Sequence, residues 1–488
     1  MSKSCHQKIH CGTEKGISQS NGAFLNRMGS NILSLTSADT ASRLLGFLAV
    51  AYLARTVGPE GMGLLAAGMG ILTWGTILAE AGLPMLGTRT VATSNVAPTN
   101  LVRRFITIRL TLSLGILILF STVLFLTLDT SRLRNITLIY LFALLPSALV
   151  LEWVFQGLRK MTVLATGRIL AAVCYLIWLL LFVRSESSII WIPVGWVAGV
   201  VAQSIYLWKQ YGGVNETEST DVSPALNLIK TALPLAVAGL VAQVITYFPV
   251  IYLGITDPRE GGLFSVAFRV IVLLLVVDRV FYTIFFPSIT KYLKIGGEDL
   301  FTRFNRTLKL VTPVTLYIAI VAVMGSRQIL PAIFGSEFNQ SALIFQILTL
   351  YFVCTAINSV FTFTLIGAEK EKVYLNSLLL GGAGFFGIML LPGPLPSSHF
   401  AAMGLVLFQV ISLLVMMREV QSFISFPMIR SLLLPIIVSG VLMGIFSLTY
   451  PSSPVLTFLA CLVITPVVLY KSVGITSEEK SYYIKSIL

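Results

Sequence analysis

Apolar residues gather in long runs, separated by short polar breaks, and the runs have the length of bilayer spans. A helix needs about 20 apolar residues to cross the hydrocarbon layer. Fourteen stretches meet that requirement: 30–54, 62–86, 105–127, 135–156, 162–183, 189–208, 232–254, 262–287, 310–333, 342–366, 373–392, 400–417, 430–450 and 454–471. The connections at 156–162 and 450–454 are the shortest. Backbone polar groups in lipid must be satisfied within the segment, so each span is predicted to be helical. The pattern therefore predicts an all-α polytopic membrane protein with about 14 transmembrane helices. Residues 1–20 are polar and lack an apolar h-region. No cleavable signal peptide is expected there, and the first span should act as its own insertion signal.

Composition agrees. Hydrophobic residues make up 56% of the 488 and charged residues only 11%, against roughly 25% charged in soluble domains. Mean hydropathy is +0.88. Soluble enzymes and disordered chains are excluded. The net charge of +13 raises nucleic-acid binding as one reading, and its distribution removes the need for it. With the N-terminus placed in the cytoplasm, 23 of the 34 Lys and Arg residues fall on inner tails and loops, five on outer loops and six within spans. That asymmetry predicts both termini on the cytoplasmic side of a plasma (inner) membrane.

The chain repeats itself. YLARTVGPEG (52–61) and YLGITDPREG (252–261) match at five of ten positions, 200 residues apart. Six spans separate the copies, so they share one orientation. Two six-helix bundles related by a pseudo-two-fold along the membrane normal follow, with two extra C-terminal helices. The expected division is a cytoplasmic tail (1–26), an N-terminal bundle (27–208), a polar linker (209–226), a C-terminal bundle (227–420), and helices 13–14 with a short tail (421–488).

Ionisable groups inside spans cost several kcal/mol unless paired or hydrated, so they mark candidate sites. Asp39 and Arg43 stand i,i+4 on one face, beside Thr36 and Thr40. That polar stripe fits a cavity wall or a static pair between helices. Glu80 reads equally as a proton site, a cation partner or an interfacial carboxylate. Arg269 and Arg279, about 80° apart around one helix, can share a broad face. Asp278 points away from Arg269, toward a cation elsewhere. Guanidinium groups facing a cavity suit phosphate, which they bind bidentately. Arg168 is a further cavity candidate or snorkels, and snorkelling is favoured for Arg109. Arg327 reads as an anchor, and Glu152 as ambiguous. The substrate-binding candidates are thus Arg43, Arg269, Arg279 and Arg168. Asp39, Asp278 and Glu80 balance charge or couple ion movement.

No phosphate-binding loop, HExxH, GxSxG or potassium-filter motif occurs. Nothing suggests a catalytic residue, cofactor or metal. The cluster Cys5, His6, His10 and Cys11 has no familiar metal-ligand spacing, and the five cysteines suggest no disulfide framework.

The segment 53–92, LARTVGPEGMGLLAAGMGILTWGTILAEAGLPMLGTRTVA, resembles polysaccharide flippases. These are the Wzx-type O-antigen and exopolysaccharide exporters of the multidrug/oligosaccharidyl-lipid/polysaccharide superfamily. Its turn, Ala54 to Gly63, resembles the family's ARxLGPExYG. Its run Gly82 to Ala92 resembles GLxxxGTRxxA. WVFQGLRKM (153–161), GLFSVAFRV (262–270), ILPAIFGSEF (329–338) and LIGAEKEKVY (365–374) follow in the family's order. The seventh span, reading ITYFPVIYL, lacks the polar or acidic residue many relatives carry. The resemblance implies a secondary transporter that flips an undecaprenyl-diphosphate oligosaccharide across the inner membrane, for surface polysaccharide or lipopolysaccharide O-antigen synthesis. Its implied partners are the lipid-linked oligosaccharide, membrane lipids, an H+ or Na+ counter-ion and a polysaccharide polymerase or export machinery. A MATE-like multidrug or cation antiporter and a lipid-linked cell-wall precursor flippase are the near alternatives. A membrane-embedded glycan polymerase or transferase is the alternative of another class, disfavoured by the short outer loops.

Overall fold

The computed structural model describes residues 6–94, 99–128, 131–212, 225–278, 281, 298–390, 396–424, 432–449 and 454–473, with backbone only at 6–41, 94, 225–240, 298–300, 454–456 and 473. Every secondary-structure element among these is helical. Helices underlie the predicted segments over most of their described residues. Among the described residues, nine helices are long and apolar enough to cross a membrane, and three shorter apolar helices accompany them. The protein is a multi-pass membrane protein.

The first two spans form one helical run, His6–Glu80, broken at Gly58. Gly58 takes φ 66°, a left-handed conformation that a Cβ disfavours, and Pro59 restarts the helix with its φ already set. Glu80 ends the run because Ala81 and Gly82 both turn left-handed, and helix Leu83–Ser94 begins afresh. The segment predicted as one span at 135–156 is instead three pieces: Ser131–Phe142, Leu144–Ala148 and Glu152–Gly157.

The described chain forms two compact units. One comprises residues up to 49 and 72–237. Its core gathers Leu83, Val91, Phe105, Trp153, Phe155 and Leu207, with the Phe105 and Trp153 rings stacked at 5.0 Å. Helices Met161–Phe182 and Trp191–Tyr211 pack along each other.

The other unit comprises residues 50–71 and 238–488. Both copies of the sequence repeat belong to it, and each makes a helix–turn–helix. In the second copy Asp257 caps helix Pro258–Leu274, accepting the Glu260 N–H at 3.1 Å. The copies press together at Gly63 and Gly262. A Cβ at Gly63 would lie 1.8 Å from the Pro258 carbonyl oxygen, and one at Gly262 would lie 1.7 Å from that of Pro59. Arg55 donates to the Ala332 and Ile333 carbonyls at the end of helix Glu298–Phe334. Helices Leu434–Thr449 and Pro454–Val473 pack against that same helix, through Ile320, Met324, Phe446 and Cys461.

Candidate functional site

The broken fourth span organises the first unit's polar groups. Between Ala148 and Glu152 the helical ladder is interrupted, which frees carbonyls at membrane depth. Such backbone is tolerated only where protein or water satisfies it. Arg109 donates to the Ser147 carbonyl at 2.9 Å and the Val150 carbonyl at 3.0 Å. The Trp208 indole donates to the Leu149 carbonyl at 3.0 Å. A third Arg109 contact reaches Glu80 Oε1 at 3.1 Å. Arg109 is 3% exposed. The snorkelling expected of it is therefore wrong: its guanidinium turns inward, because broken-helix carbonyls and a carboxylate offer more than the interface does.

Glu152 opens the helical piece beyond the break. Its carboxylate takes a two-pronged contact from Arg168, Nε at 3.0 Å and Nη2 at 2.7 Å. Gln203 donates to the same carboxylate at 2.6 Å. Glu152 also lies within electrostatic range of Glu80 and Arg109. Two acids and two arginines thus form one polar island, whose formal charges cancel. The side chains of Glu80, Glu152 and Arg168 remain 38%, 30% and 35% exposed. Charged groups so exposed within spans need water rather than lipid beside them.

Arg43 is half-buried in the first long helix and has interaction partners. Asp39 lies on that helix, with its side chain outside the described residues. In the second unit, Asp278 accepts the Ser359 hydroxyl at 2.9 Å. Arg279 lies outside the described residues. Arg269 is exposed near the middle of the candidate span Pro258–Asp278, and makes no ion pair among the described residues. Among those residues no cluster of His, Cys, Asp and Glu could hold a metal. Sequence reasoning undervalued Arg109, Glu152 and Gln203. The i,i+3 and i,i+4 patterns used to find charge pairs do not reach across spans.

The polysaccharide biosynthesis protein family matches residues 28–293, more than half of the chain. No curated protein sequence matches significantly. Among solved structures, "Lipid II flippase MurJ, inward closed conformation" matches with a TM-score of 0.71 at 14% identity, over 90% of this chain and 98% of that one. An outward-facing multidrug resistance MATE family transporter of the MOP superfamily matches with a TM-score of 0.54 at 14% identity, over 80% and 95%. Its inward-facing form gives 0.53 at 13% identity, over 80% and 94%. At these identities the likeness is one of fold. The chain belongs to the polysaccharide biosynthesis protein family and shares the fold of the lipid II flippase and MATE transporter structures.

Proposed function

We propose that the protein moves a lipid-linked oligosaccharide, carried on an undecaprenyl-diphosphate-type anchor, from the inner to the outer leaflet of the cytoplasmic membrane. The observation that carries the proposal is Arg269. A guanidinium exposed at mid-span, without an ion pair among the described residues, cannot rest against hydrocarbon. It suits an anionic head group passing through water, and guanidinium binds phosphate oxygens in pairs. Membership of a polysaccharide biosynthesis family supports a glycan as cargo. Arg43 and Arg279 are further proposed contacts for phosphate. Arg168 is less available, since Glu152 already neutralises it. Asp39 and Asp278 balance these charges or couple an H+ or Na+ counter-movement. An inside-negative potential favours anion exit by about 2.3 kcal/mol per charge per 100 mV. A surface polysaccharide such as O-antigen is the proposed end product, its polymerase or export machinery the proposed partner, and both termini are proposed to be cytoplasmic.

The test is deletion of the gene in its host, followed by measurement of surface polysaccharide and of the leaflet holding the lipid-linked intermediate. Intermediate accumulating in the inner leaflet is the expected result. Outer-leaflet intermediate that fails to polymerise refutes the proposal in favour of a polymerase. Arg269→Ala should abolish complementation at normal protein levels.

A further inference from the structure

The polar island does not suit a diphosphate, because its arginines are already matched by Glu80 and Glu152. What it offers instead is the planar groups of Glu152, Arg168 and Gln203, which hydrogen-bond at the Glu152 carboxylate and stay partly open to water. Tyr175 lies seven residues along its helix from Arg168, and Trp196 lies seven residues along the adjacent helix from Gln203. A seven-residue step covers about 10.5 Å and returns to within about 20° of the same face. The Tyr175 and Trp196 rings meet edge to face, 5.5 Å between centroids and 86° between planes. Both residues are half-buried. Between the two levels the helices nearly touch, since a Cβ at Gly199 would lie 2.9 Å from the Ala171 carbonyl oxygen. Trp178 and Trp208, on these same helices, donate their indole N–H to the Trp191 and Leu149 carbonyls. The Trp196 N–H donates to no atom among the described residues. The helix pair Met161–Phe182 and Trp191–Tyr211 therefore carries one strip, polar at one level and aromatic at the next.

We infer that this strip binds the sugar portion of the lipid-linked cargo, with Glu152, Arg168 and Gln203 taking ring hydroxyls and Tyr175 and Trp196 covering a sugar's C–H face. The inference rests on the transport reading above. A pyranose presents neighbouring hydroxyls at its edge, which suit carboxylate, guanidinium and amide planes as paired acceptors and donors. Its C–H face is apolar and suits the face of an aromatic ring. The strip's charge balance favours a neutral, hydroxyl-rich group over the diphosphate. The two levels lie far enough apart to meet different rings of one oligosaccharide.

The test measures binding to the full chain in lipid nanodiscs. The probes are undecaprenyl diphosphate alone, and undecaprenyl diphosphate bearing mono-, di- and trisaccharides of hexose and N-acetylhexosamine. The wild type should bind at least one glycosylated probe about tenfold more tightly than the bare lipid, the increment expected of one or two added hydrogen bonds. Trp196→Ala and Gln203→Leu should lose that increment and keep the affinity for undecaprenyl diphosphate. Trp196→Phe, which keeps a ring face, should retain most of it, and Tyr175→Leu serves as the aromatic variant if Trp196→Ala does not fold. Variants that keep the full increment overturn the inference. So does a wild type that binds bare and glycosylated lipid equally, and that result leaves the transport reading standing. A wild type that binds none of the probes overturns both.

Discussion

Arg109→Met removes a guanidinium while keeping most of the side chain's volume. The Val150 carbonyl then loses its Arg109 contact at membrane depth, which costs about 1–3 kcal/mol. The Ser147 carbonyl still accepts the Val150 N–H at 3.1 Å, so its share of the loss is about 1 kcal/mol. Glu80 loses its partner, but its side chain is 38% exposed, and solvent screening holds that loss to about 1 kcal/mol. The expected destabilisation is about 3–5 kcal/mol, in the range for breaking a buried charge pair. At about 2–4 °C per kcal/mol, as for a domain of comparable size, the melting midpoint should fall by about 6–20 °C. The assay is thermal unfolding of the detergent-solubilised protein, followed by the loss of its monodisperse elution peak. Arg109→Lys should rescue little, since an ammonium cannot fork across three acceptors in one plane. In a double-mutant cycle with Glu80→Gln, the coupling should stay near 1 kcal/mol, because most of the cost sits in the carbonyls. A Met variant that melts within 2 °C, about the shift of 1 kcal/mol, would refute the view that Arg109 holds the broken span together.

Gly262→Ala should impair folding or cost more than about 3 kcal/mol, because the new Cβ meets the Pro59 carbonyl group itself and not a movable side chain; expression and elution profile check this. Gly115→Ala is its counterpart: with nothing within 4 Å of the added methyl, it should be neutral or stabilise by up to about 1 kcal/mol in the same melting assay. Lys370 pairs with Glu419 at 2.6 Å and lies over the Phe423 ring at 4.5 Å, yet both charged side chains are more than a third exposed. Lys370→Ala should therefore cost about 1 kcal/mol or less, and the difference from wild type should shrink as salt is raised.

The length of the apolar runs settled the all-helical, membrane-spanning architecture in advance, because a bilayer leaves the backbone almost no alternative to a helix. The punctuation was legible for the same local reason: the left-handed residue before Pro59 and the Asp257–Pro258 start of the next hairpin are properties of a few adjacent residues. The family was legible too, since its motifs are mostly turns and close contacts written contiguously. Other features depend on residues far apart in the chain. Pro146 is the one local sign of a break in this apolar segment; the break persists because Arg109 and Trp208, from other helices, satisfy the freed carbonyls. Position along a span suggested that Arg109 snorkels, yet the partner that draws it inward, Glu80, is 29 residues away. Gln203 meets Glu152 across 51 residues of chain, a pairing that no local pattern encodes. The sequence counted the charges within the membrane. Only the packing of helices decided which of them cancel, and Arg269 is the one left exposed at mid-span without an ion pair among the described residues.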